Sequence, residues 1–220
     1  MKKILISAAA LLVAVVAQAQ IVSSSSRSTI STPVERNGFS YIKGGVSLNN
    51  LVGDDADDFD FDNKTGVDIV LGSVSPLTAV DGLYVGYEVG VGTRGAKASR
   101  NGGKLEIAHT NVKLVPQAGF MLDLDGGLAI DVHVGVGLTY DFMGHFKVSY
   151  GGESETVKIK DYEDDLGFEC NRFDVGIHPG VTVWYNNFGL DFTFQRGFLS
   201  AVKENDVFAQ NIQLRLAYRF

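Results

Sequence analysis

The stretch LAIDVHVGVGLTY, Leu128 to Tyr140, alternates without a slip. Leu128, Ile130, Val132, Val134, Val136, Leu138 and Tyr140 fall on one side; Ala129, Asp131, His133, Gly135, Gly137 and Thr139 fall on the other. A period of two marks a strand with one apolar and one polar face. Strands of globular proteins run about five or six residues, and this one runs to 13. At about 3.3 Å per residue and a tilt of about 40°, such a strand spans roughly 30 Å, enough to cross an apolar membrane band of about 25 Å.

The same alternation recurs along the chain with no helical pattern between. It is clear in LYVGYEVGVGTR from Leu83, TNVKLVPQAGFML from Thr110, RFDVGIHPGVTVWY from Arg172, FGLDFTFQRGF from Phe188 and NIQLRLAYRF from Asn211. FSYIKGGVSL and GVDIVLGSV are shorter members, which makes eight strands in all. Their connectors alternate as well. SPLTAVDG, DLDGG and NN are short turns, whereas Asn49 to Gly66, Gly95 to Glu106, Phe142 to Asn171 and Leu199 to Asp206 are long and polar. Short turns on one end and long loops on the other is the asymmetry of outer-membrane barrels, and an even strand number puts both chain ends on the short-turn side.

Alternation alone leaves two all-β architectures open. A soluble barrel of the lipocalin kind turns its apolar face inward around a ligand, and a membrane barrel turns it outward into lipid. Aromatic residues group at both ends of the apolar face, with Tyr140, Phe173, Phe198 and Phe208 at the loop end and Phe120, Tyr185, Phe188, Tyr218 and Phe220 at the turn end. Two girdles suit two bilayer interfaces. The polar faces carry Asp68, Glu88, Asp131, Asp174 and Asp191 against Lys43, Arg94, Lys113, Arg172, Arg215 and Arg219, and they are rich in glycine. Balanced charge and small residues fit a cramped interior better than a wetted surface. The expected fold is therefore all-β, an eight-stranded antiparallel up-and-down transmembrane β-barrel with short periplasmic turns and long extracellular loops.

Two prolines, Pro116 and Pro179, fall in mid-strand, where a missing N–H predicts a bulge or a slackened ladder. The N-terminus, MKKILISAAALLVAVVAQAQ, has the positive start, apolar run and Ala17-Gln18-Ala19 site of a cleavable secretory signal, residues 1–19. A Ser/Thr-rich leader spans 20–37 and the barrel 38–220. Loss of Lys2 and Lys3 moves the formal charge from −7 to −9, which speaks against nucleic acid as a partner. Cys170 is the single cysteine, so no internal disulfide forms.

The signal, the strand pattern and the ending IQLRLAYRF resemble the outer-membrane β-barrel domain family, which includes PorT-like proteins and, more distantly, the OmpA and OmpX barrels. The resemblance covers about Gly38 to Phe220. It implies localisation to the bacterial outer membrane among its lipids and lipopolysaccharide. It also implies that Leu214, Leu216, Tyr218 and Phe220, with Ile212, form the insertion signal read by barrel-assembly machinery. A PorT-like relation implies an accessory role in secretion or envelope assembly. OmpA-like proteins often carry a further peptidoglycan-binding domain, and a chain ending at its last strand does not imply that role.

Other motifs carry less. Gly90 to Gly95, GVGTRG, fits a dinucleotide fingerprint, but the loop AKASRNGGK follows where the phosphate-binding helix belongs. Asp58, Asp60 and Asp62 imitate the start of an EF-hand, yet Asn63 and Ile69 stand where its glycine and bidentate glutamate belong, which leaves a weak cation site at most. His133 and His178 are interior by parity. No histidine pairs with a serine in the way a lipid hydrolase needs, and His109 is followed by Thr110 and Asn111. No catalytic residue and no cofactor are expected. The expected interior network is Glu88, Lys113, Asp131, His133, Arg172, Asp174, His178, Asp191, Arg215 and Arg219. In the third loop, HFKVSYGGESETVKIKDY reads as a hairpin about Gly151-Gly152, a possible edge for a protein partner. The reading that follows is a structural or surface-interaction barrel with a filled lumen, with a secretion accessory second and a lipid-modifying enzyme third.

Overall fold

The computed structural model describes residues 38–57, 61–77, 80–100, 103–158, 170–203 and 205–220. The signal peptide and leader lie outside them, as do Asp58, Asp60 and Ile159. The strands are β1 (Phe39–Val52), β2 (Phe61–Pro76), β3 (Leu83–Arg100), β4 (Gly103–Asp123), β5 (Leu128–Tyr150), β6 (Glu153–Lys158), β7 (Phe173–Tyr185), β8 (Phe188–Gly197) and β9 (Phe208–Arg219). Each pairs antiparallel with its neighbours in the order β4-β3-β2-β1-β9-β8-β7-β5-β6, and β4 also pairs with β5. That last pairing closes a ring of eight strands. β6 hangs on the upper half of β5 as the second arm of a hairpin turned by Gly151 and Gly152, both at positive φ.

The barrel is inside-out relative to a soluble one. Outward residues are large and apolar, with Leu216 72%, Phe188 67% and Val67 58% exposed, while Lys43 and Arg215 are each only 1% exposed. The turn-end aromatics lie together on the outside: Phe188 and Tyr218 have ring centroids 5.2 Å apart, and Tyr218 stacks on Phe220 at 6.5 Å. This arrangement removes the lipocalin alternative, because among the described residues the large apolar side chains of the strands face outward and the centre of the barrel is charged.

Narrowness is bought from glycine. A Cβ at Gly72 would overlap the Tyr41 ring, one at Gly119 the Tyr84 ring, and one at Gly137 the His178 imidazole. Gly90 to Gly95 likewise lies within β3, where Gly90 backs onto Val70 and Gly92 onto the Asp68 carboxylate, with no helix following.

The prolines slacken the ladder without shifting it. On the β5 side, β4 pairs Leu114 with Leu138 and resumes at Gln117 with Gly135, in the same register. On the β8 side, β7 pairs Ile177 with Arg196 and resumes at Gly180 with Thr193. Pro116 and Pro179 keep their other partners, Tyr87 and Val134, so no edge opens.

The strands run further than alternation indicates. Gly95 to Glu106 is not a long loop: β3 and β4 stay paired up to Arg100 and Gly103. β5 continues to Tyr150 through a register shift beside Thr110 and Asn111. Strands β2 to β6 thus rise as a sheet well beyond the loop-end aromatics.

Candidate functional site

Inward parity gathers the polar residues of eight strands into a lumen of three layers. The turn end is apolar: Tyr41, Val74, Tyr84, Met121, Ala129, Trp184 and Ala217 pack together with Phe39 against them. Phe39 meets Trp184 edge-on at 5.8 Å. Arg219 lies across this plug, 5.4 Å from the centroids of both Phe39 and Trp184. Its place is therefore the turn-end rim, outside the ionic layer in which parity alone would set it.

Above the plug comes a layer of three cations, Lys43, Lys113 and Arg215, and three carboxylates, Asp68, Glu88 and Asp191, all buried. Lys43 Nζ lies 2.8 Å from Asp191 and 2.9 Å from Glu88. Arg215 donates to Asp191 at 2.7 Å, to Asp68 at 3.0 Å and to Glu88 at 3.5 Å, and its Nη2 also reaches Thr193 Oγ1 at 3.0 Å. Lys113 donates to Asp68. Thr182 gives a further hydrogen bond to Asp191 at 2.7 Å.

Hydroxyls join this layer to the plug. Tyr41 donates to Glu88 at 3.0 Å and accepts from Gln117 at 2.7 Å. Tyr84 donates to Asp131 at 2.6 Å. His133 stands between Asp131 and Asp191, 3.7 Å from each. His178 is buried against Gly137, and its Nε2 meets no hydrogen-bond partner among the described residues.

The upper layer is built on Arg94, which donates to Asp141 at 2.6 Å and to Asp174 at 2.8 Å. His109 Nδ1 approaches the same Asp141 oxygen at 2.8 Å. Asp141 and His109 were missed as lumen groups, because Asp141 lies one step beyond the clean alternation and next to the register shift of β5. Lys43, Asp68 and Arg94 were visible by parity, but parity does not show that they meet Asp191, Lys113 and Asp174.

Backbone links draw the long connections across the loop end. Asn171 N–H donates to Ala201 at 2.9 Å, Asp141 N–H to Arg172 at 2.7 Å and Ala201 N–H to Val207 at 2.7 Å. The first connection joins them through Asp206 N–H and the Asp55 carboxylate at 2.7 Å. Arg172 lies here, just before β7, and lines a cavity of about 690 Å³ with His109, Asp141, His145, Lys158 and Cys170. It stands at the mouth and not in the central ionic layer. A second cavity, of about 350 Å³, lies at the turn end between Phe39, Tyr84 and Arg219.

Asp62 is exposed in β2 opposite Lys97, while Asp58 and Asp60 lie outside the described residues. Among the described residues, no group of histidines, cysteines and carboxylates is placed to hold a metal ion. Leu214, Leu216, Tyr218 and Phe220 all face outward from the closing strand.

No family profile matches the chain, and no curated protein matches it in sequence. Solved structures of similar shape include Neisserial surface protein A, 11% identical over 84% of this chain and 100% of that one, with a TM-score of 0.47. Ail, the attachment invasion locus protein of Yersinia pestis, is 18% identical over 84% and 100%, at 0.41. OprG of Pseudomonas aeruginosa is 12% identical over 86% and 99%, at 0.46. Likeness at this level carries no argument about activity; the architecture rests on the strand pairing itself.

Proposed function

We propose that this chain is a bacterial outer-membrane barrel with a structural or surface-interaction role, and that it is neither an open pore nor an enzyme. The observation that carries this reading is the central layer in which three buried cations meet three buried carboxylates. An eight-stranded barrel has an interior that side chains alone can fill, and here they do so with every member of that layer ion-paired. A conduction path would have to break those pairs.

The continuous apolar exterior supports placement in a bilayer, with lipid and lipopolysaccharide as its surroundings. The outward Leu214, Leu216, Tyr218 and Phe220 support delivery by barrel-assembly machinery. The raised sheet of β2 to β6 is the part available to partners outside the cell. Protease added to intact cells should cut the third loop, between Lys158 and Cys170, and spare β9. Recovery of the protein in the soluble periplasmic fraction would contradict the placement.

A further inference from the structure

The raised sheet has two faces of different character. Ala96 and Ala98 are buried on the inner one, so Lys97 and Ser99 belong to the outer one. Cross-strand register carries that outer face over the sheet: Asp62 lies opposite Lys97, Lys97 opposite Glu106, Glu106 opposite Lys147 and Lys147 opposite Thr156. Ser99, Lys104, Ser149 and Ser154 form the next row of the same face, and Ala108, His145 and Lys158 the row below.

Lys64, which pairs with the inward Asn49, reaches this face by a 3.0 Å bridge to Glu106. The hydrogen bond from Lys64, aided by the positive charge of Lys64, Lys97 and Lys147, holds the Glu106 carboxyl below its ordinary range. Four lysines, Lys97, Lys104, Lys147 and Lys158, thus share this face with two carboxylates, Asp62 and Glu106, and Lys64 reaches it through Glu106. Glu153 and Glu155 pair with Tyr150 and Val148 and so belong to the opposite face. The face thus keeps an excess of positive charge on a chain whose formal charge is −7.

From these placements we infer that the outer face of the raised sheet binds a polyanionic saccharide, phosphorylated or sulfated, standing above the membrane surface. Height argues against an ordinary lipid headgroup. Glu106 lies six residues along β4 from Val112, the partner of the girdle residue Tyr140. At about 3.3 Å per residue and a tilt of about 40°, that is a rise of about 15 Å. The headgroup layer of one leaflet is only about 5–7 Å deep.

Surface chemistry argues against the other polyanion and against a protein. Among the described residues these rows carry hydroxyls between the lysines and, His145 apart, no large apolar or aromatic residue, whereas single-stranded nucleic acid needs stacking platforms and protein hot spots need aromatic anchors. Each lysine stands on its own strand with a carboxylate, serine, threonine or histidine opposite it, and Lys104 and Lys147, one strand and two residues apart, are separated by about 8 Å, which suits a chain of alternating charge and hydroxyl. The inference rests on the reading that this end of the barrel is extracellular.

The test uses the purified full barrel folded in detergent. One arm measures binding of lipopolysaccharide from the producing cells before and after dephosphorylation; the other measures binding of dextran sulfate. Lys97→Gln, Lys104→Gln and Lys147→Gln together should weaken binding by about tenfold, since exposed charge contacts are individually modest. Glu153→Gln with Glu155→Gln, on the opposite face, should leave it unchanged, and Lys97→Glu alone serves as a second variant. Loss on dephosphorylation would assign the cell's own glycolipid, and binding of dextran sulfate alone an external glycan. Unchanged affinity of both lysine variants in both arms would overturn the inference, as would equal competition by a DNA oligomer of the same charge. Absence of a heat-modifiable folded band from the parent would refute the barrel reading itself, and the inference with it.

Discussion

Replacing Arg215 with Met removes the residue on which the ionic layer turns. Arg215 contacts Asp191, Asp68 and Glu88 at once, and its guanidinium has no access to solvent beyond 1%. Methionine fills most of the volume, so the change is chiefly electrostatic. It leaves Lys43 and Lys113 to face three carboxylates. Breaking a buried pair by deleting one partner costs about 3–5 kcal/mol, because the remaining charge stays buried without compensation. Trp184 is the only tryptophan and lies in the plug directly below, so its fluorescence follows urea unfolding from short-chain lipid bilayers. Adding Asp191→Asn restores the balance of signs. The double variant should therefore lose less than the sum of the two single variants, by about 1–3 kcal/mol of coupling. A control pair at the edge of the raised sheet, half-buried Lys64→Met with Glu106→Gln, should change stability by about 1 kcal/mol or less. An Arg215→Met barrel as stable as its parent to within about 1 kcal/mol would refute the assignment of this layer as a closed, mutually dependent network.

Other expectations follow from single contacts. Gly72→Val places a branched side chain in the space of the Tyr41 ring and should abolish the folded, heat-modifiable band on a gel. Tyr84→Phe removes the 2.6 Å hydrogen bond to buried Asp131 and should cost about 1–3 kcal/mol in the same urea assay. Phe220→Asp, or deletion of Phe220, should impair insertion while leaving export intact, measured as chain that accumulates in the periplasm without a folded band.

The architecture was legible because lipid imposes one chemistry on every outward residue, so alternation is cleanest where the strand crosses the apolar belt. Above the girdle the outer face meets water instead of lipid and turns polar, and the contrast with the inner face fades. This is why Gly95 to Glu106 reads as a loop although it forms a continuous ladder. Parity tells which residues face inward but not at what height. Arg215 and Asp68 are 147 residues apart and meet at 3.0 Å, whereas Arg172 and Arg219, with suitable parity, lie at the two ends of the lumen. Asp141 escaped notice for a local reason: the register shift of β5 begins beside it and interrupts the pattern that would have marked it as inward.

Conductance of the purified barrel in a planar bilayer tests the central claim most directly. On the proposed reading the Tyr41, Tyr84 and Trp184 plug, the six-charge layer above it and the Arg94, Asp141 and Asp174 cluster below the mouth close the lumen. Inserted barrels should show no steady current at moderate voltage, and the Arg215→Met variant should be less stable without becoming a channel. A steady, large, ohmic conductance from the unmodified protein would contradict the account, because it would mean that these charges line a path for ions and do not close one.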